Sequence, residues 1–219
     1  MGKEEFSNCW YKEVCETECS SSCIRFLEMN YLVEKSGLPE GYRYPKSLEP
    51  DPVDYEMFCK LAETKDNILE FVSTGSDLYI GGSNTGTGKT TWASKLMLKY
   101  FNEVWAGNGF TTRGMFVHVP SLVVKLKDFN SPVQESYKND LLNCDLVIWD
   151  DIASTNLSNY DITQLLIYID TRILNGKANI YTGNITEEHQ LESILGARLT
   201  SRIWHKSNLI ILNGKDRRH

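Results

Sequence analysis

Between Gly81 and Trp92 the chain reads GGSNTGTGKTTW, directly after the run DLYI. Gly86, Gly88, Lys89 and Thr90 match the end of the phosphate-loop pattern, placed between a predicted strand and a predicted helix as that chemistry requires. The first glycine of the pattern falls at Ser83, with Gly81 and Gly82 immediately before it. Glycines let backbone N–H groups converge on phosphate oxygens, and the following helix adds the positive end of its dipole. Lys89 would reach the β- and γ-phosphates and Thr90 would hold Mg²⁺, with Thr87 and Thr91 completing the candidate contact set. The alternative is a glycine-rich turn carrying an incidental lysine.

A phosphate loop also needs a carboxylate on a neighbouring strand. DLVIWDD supplies one: apolar residues Leu146 to Trp149, then Asp150 and Asp151 at the strand's C-terminal end. Asp150 would organise the metal and its waters. Asp151 would polarise an attacking water, which means hydrolysis rather than transfer to a second substrate. Alone, the pair would read equally well as a solvated acidic turn.

Four of the six cysteines crowd near the start: Cys9, Cys15, Cys19 and Cys23. Four thiolates are enough for a tetrahedral Zn²⁺ site. An iron–sulfur cluster is the alternative metal reading, and unliganded thiols on one helix face the bland one. Disulfides are not expected in a cytosolic chain.

The elements that must position these residues are legible from periodicity. CETECSSSCIRFLEMNYL is predicted to be a helix, with Cys15, Cys19 and Cys23 on one face. SGLPEGYRYPKSLEPDPVD, punctuated by prolines, is predicted to be an extended linker or wrapped arm. After it, helical and strand-like runs alternate, with Ser121 as a helix cap and the segment at Thr186 and His189 starting a late helix. Alternation of this kind implies a mainly parallel sheet flanked by helices. Three segments result: a Cys-rich N-terminal segment (1–37), a Pro-rich linker (38–53) and an α/β core (54–219).

Within 219 residues there is room for one α/β domain plus something small. A formal net charge of −6 argues against a protein that mainly coats nucleic acid. Lys125, Lys127 and the terminal GKDRRH leave room for local basic patches. Apolar runs such as NLIIL are far too short to span a bilayer, and MGKEEFSNCW carries no signal-peptide core. The expected location is the cytoplasm, with no membrane partner.

GTGKTT, FVHVPSLVVKLK, DLVIWDDI, NIYTGN and LGARLTSRIW also follow one another in the order and approximate spacing of AAA+ ATPases. More narrowly, the chain from about Leu38 onward resembles DnaC/DnaI-type replicative helicase loaders and their phage counterparts, and its compact build leans toward the phage form. The resemblance implies an ATPase using ATP and Mg²⁺ to load a hexameric replicative helicase onto single-stranded DNA. It places Asn184 at the sensor position facing the γ-phosphate, where a simple turn is the bland alternative. It gives Arg202 the part of an arginine finger entering a neighbouring subunit, hence self-association, with Arg198 as competitor and Arg217 as a weaker nucleotide-sensing candidate. It further implies a core without a helical lid, and an N-terminal zinc-binding module that contacts the helicase. A transposase-helper ATPase, a non-catalytic helicase-binding adaptor and a small-molecule kinase stand as the other readings.

Overall fold

The computed structural model describes residues 9–10, 15, 20, 22–126, 132–154 and 157–216. Its strands are β1 (Asp77–Gly81), β2 (Gly114–His118), β3 (Leu146–Asp150), β4 (Ala178–Thr182) and β5 (Ser207–Ile211). Among the described residues they form one parallel sheet in the order β2-β3-β4-β1-β5. The order places β1, which feeds the phosphate loop, next to β4 and one strand away from β3.

Parallel strands are covered on both faces, so they read as near-continuous apolar runs whose alternate residues enter different cores. In β3, Leu146 and Ile148 face one core, while Val147 and Trp149 face the other. The first core holds α1 (Ile24–Lys35), α3 (Tyr55–Asp66), α4 (Ile68–Ser73) and α5 (Lys89–Val104). On α5, Trp92, Leu96, Met97 and Tyr100 are buried there. The second core holds α6 (Val119–Leu126), α7 (Pro132–Asn143), α8 (Asn159–Leu174) and α9 (Glu188–Trp204). Below the sheet, fully buried Arg172 of α8 donates to the carbonyls of Leu141 (2.7 Å), Cys144 (2.9 Å) and Ala178 (2.7 Å), tying that helix to the starts of β3 and β4.

Two local expectations are corrected. The helix predicted from Cys15 begins only at Ile24, with Cys23 in extended conformation (φ −64°, ψ 110°) as its N-cap. Serines compete for the backbone at that point: the amide of Ser22 donates to Ser20 Oγ (3.2 Å), and Cys23 N–H donates to the Ser20 carbonyl (3.1 Å). The described cysteines therefore share no helical face. Ser121 is not a cap either, because α6 starts at Val119 directly after β2. Its hydroxyl instead meets His118 Nδ1 at 2.8 Å.

Between α1 and α3 the chain is extended apart from the short α2 (Glu40–Arg43) and a 3-10 turn at Pro52–Asp54. This arm crosses the C-terminal edge of the sheet. At its far end Asp54 accepts the amides of Asn213 (2.7 Å) and Gly214 (2.8 Å), pinning the chain that follows β5.

Candidate functional site

The loop after β1 turns into α5 at Gly88, whose φ of 102° lies in the left-handed region that favours glycine. No side chain caps this helix start, so its first N–H groups remain for an anion. A Cβ on Gly88 would come within 2.7 Å of Leu48 Cδ1, so the arm itself closes over the loop. Lys89 is buried and curls back inside, donating from Nζ to the carbonyls of Asn84 (2.8 Å) and Gly82 (3.2 Å). On the outer side, Asn84 Nδ2 donates to the carbonyls of Asn213 (3.2 Å) and Gly214 (3.1 Å), and Thr85 donates to Asp216 (3.3 Å).

Under the loop lies a cavity of about 660 Å³, a volume suited to a nucleotide. Thr85 to Thr91, His118, Asp150, Asp151 and Asn184 line it, with Tyr42, Tyr44, Lys46 and Leu48 of the arm on the opposite wall. Every residue expected to contact the nucleotide, Gly86 through Thr91 and Asp150, is therefore brought together. Asp151 and Asn184 join them.

Asp150 is the centre of the polar set. Its Oδ1 accepts from Thr182 Oγ1 (2.7 Å) and Thr90 Oγ1 (2.8 Å). Burial pushes its carboxyl above the usual carboxylate range, against the lowering effect of the Thr182 and Thr90 hydrogen bonds. Its hydrogen-bond partners are hydroxyls rather than an ammonium or guanidinium. His118, Asp150 and Asp151 each offer a ligand atom within 4.8 Å of the others. Carboxylates beside a threonine hydroxyl are the hard oxygen donors that Mg²⁺ takes, so the residues fit that ion. Bound with phosphates, it would supply charge neutralisation, held by Thr90 and by Asp150 or its waters.

Asp151 has a positive φ of 57°, with its amide donating to Thr182 Oγ1 at 3.1 Å. The conformation turns the chain off β3, and Asp151 Oδ2 lies 3.8 Å from His118 Nε2. Asn184 stands two residues beyond the end of β4 and is exposed to the cavity.

Sequence reasoning passed over Thr182, His118 and the arm's Leu48. The first two belong to a row running across the strand ends: His118 pairs with Asp150, and Thr182 follows Tyr181, the partner of Trp149. The available signal was a polar residue closing each of the runs MFVH and NIYT.

Arg202 does not line its own chain's cavity. It lies in the part of α9 after Gly196, whose φ of 75° and ψ of 158° break the helix, and its Nε donates to Asp170 of α8 at 2.6 Å. Arg198 is exposed one turn earlier. Arg217 and Lys127 lie outside the described residues, and Lys125 falls within α6.

Cys9 and Cys15 pack against the first core, Cys23 caps α1, and Cys19 lies outside the described residues. Among the described residues the metal-competent cluster is the His118–Asp150–Asp151 group; Cys9, Cys15 and Cys23 do not converge into one. Among the described residues, no helix is long and apolar enough to cross a membrane.

Sheet order, the phosphate loop between β1 and α5, and the acidic tip of β3 define an α/β fold of the AAA+ type. No protein-family model and no curated protein matches the sequence. Among solved structures, the DnaC helicase loader is similar at a TM-score of 0.66 and 21% identity, over 80% of this chain and 100% of that one. DnaI is similar at a TM-score of 0.58 and 21% identity, over 79% of this chain and 88% of that one. A replication initiator DnaA bound to AMPPCP and single-stranded DNA gives 0.56 and 19%, over 80% of this chain and 50% of that one. At these identities the likeness is one of fold.

Proposed function

We propose that this chain is an ATPase that loads a hexameric replicative helicase onto single-stranded DNA. The observation that carries the reading is the joint one: a phosphate loop whose Lys89 and Thr90 line one cavity with Asp150 and Asp151, and a fold shared with the solved chain of a helicase loader.

In this reading the loop and Lys89 bind the phosphates, while Thr90 and Asp150 hold Mg²⁺. Asp151 takes the proton of an attacking water, Asn184 orients that water or the γ-phosphate, and Arg202 enters the site of a second copy to stabilise the transferring group. Making hydrolysis wait for a neighbour's arginine links turnover to assembly, the behaviour of a switch rather than a metabolic enzyme. The single-stranded DNA bound by the similar DnaA supports the DNA partner, and the likeness to the DnaC helicase loader supports the helicase.

Loading onto a closed circle of single-stranded DNA tests this directly. With the helicase of the same replication system and ATP, wild-type chain should leave helicase bound to the circle after a salt wash. Lys89→Ala should leave none. Equal retention with and without the wild-type chain would reject the proposal.

A further inference from the structure

The nitrogen by which Arg202 is held matters. Its Nε donates to Asp170 Oδ1 at 2.6 Å, and among the described residues neither terminal nitrogen has a partner. The side chain is 43% exposed, so that fork faces solvent. The terminal fork is the part of an arginine that grips phosphate oxygens in two-point contact. A carboxylate on Nε restrains the long stem and leaves the fork open; a carboxylate on the fork would have blocked it.

The surroundings agree with a face kept open for another chain. Ile167 and Leu174 flank Asp170 one turn to either side on α8, and they are 50% and 78% exposed. Among the described residues, the lining of the phosphate cavity includes Lys46 and Lys89 and no arginine.

We propose that Asp170 is a positioning residue for hydrolysis in trans: it aims Arg202, through Nε, at the phosphate site of a second copy of this chain. This rests on the reading of Arg202 as an arginine finger. An ion pair this exposed contributes little to stability, so the pair's value lies in orientation.

The test compares ATP turnover of wild type, Arg202→Ala, Asp170→Ala and Asp170→Asn, at a protein concentration where the wild-type rate per chain has levelled off. Melting temperature and affinity for an ATP analogue are measured in parallel. Asp170→Ala should lower kcat about 10- to 100-fold, the cost of a misplaced catalytic group, with affinity and melting temperature unchanged. Asp170→Asn should recover most of that loss, because its amide oxygen still accepts from Nε. Mixing Asp170→Ala with excess Asp151→Asn should restore turnover, since the second chain carries an intact finger and the first an intact site.

If Arg202→Ala loses turnover while Asp170→Ala keeps it, the positioning role is wrong and the finger stands. If Arg202→Ala turns over like wild type, the finger reading falls and the proposal with it. Loss in Asp170→Ala that comes with a lower melting temperature, or that mixing fails to restore, would make the pair merely structural and overturn the proposal.

Discussion

Thr90 Oγ1 donates to Asp150 Oδ1 at 2.8 Å, joining the first turn of α5 to the tip of β3 across 60 residues of sequence. Thr182 donates to the same oxygen from β4 at 2.7 Å. The carboxylate is thus aimed by two hydroxyls on different elements. Orientation of this kind distinguishes a metal-organising group from an acidic residue at the end of a strand.

Thr182→Val keeps the side chain's shape and removes its donor. The Mg²⁺ concentration needed for half-maximal binding of a fluorescent ATP analogue should rise about 10-fold or more, as for lost outer partners of metal sites. An unchanged Mg²⁺ requirement would remove Thr182 from the account.

Asp151→Asn should separate binding from chemistry. The amide keeps the volume but cannot accept a proton, so turnover should fall by about 10²-fold or more while analogue affinity holds. Steady-state phosphate release beside equilibrium binding reads both quantities. Undiminished turnover would assign the base to another group.

At Gly88 two separate penalties meet: a φ of 102°, and the approach of Leu48 to within 2.7 Å of where a Cβ would sit. Gly88→Ala should destabilise the fold by about 1 to 3 kcal/mol and weaken nucleotide binding. Adding Leu48→Ala should relieve only the contact. Chemical denaturation of the single and double variants separates the two; full recovery in the double variant would show that the backbone carries no strain there.

These residues also mark how far the sequence could be read. Gly86 to Thr91 and Asp150 were legible because their chemistry is local, one turn and one strand end. Thr182 and His118 were not, since their roles come from register across β2, β3 and β4, which no short run of residues encodes. Leu48 reaches Gly88 only because the arm wraps back over the loop. The late start of α1 turned on a competition between serine hydroxyls and helix hydrogen bonds, which apolar periodicity cannot see. The Asp170–Arg202 pair spans two helices whose mutual placement depends on the break at Gly196.

Beneath the sheet, Asp77 provides a pH test. Its carboxyl is buried and accepts from Asn179 Nδ2 at 2.8 Å. Burial pushes its pKa up to about 7 from 3.8, against the lowering effects of Asn179 and Arg172. With the folded value raised, the folded protein holds a proton that the unfolded chain releases. The contribution of Asp77 is therefore most favourable below the unfolded value and is lost as pH rises toward 7. Stability of wild type relative to Asp77→Asn should fall by on the order of a few kcal/mol between pH 4 and pH 8. Parallel stability curves from urea denaturation would contradict it.

Native mass spectrometry of the chain mixed with the hexameric helicase of its own replication system, with and without a slowly hydrolysed ATP analogue, tests the central claim most directly. The account predicts a defined complex of hexamer and this chain whose population rises with the analogue and drops in Lys89→Ala. No complex under either condition would contradict a loader.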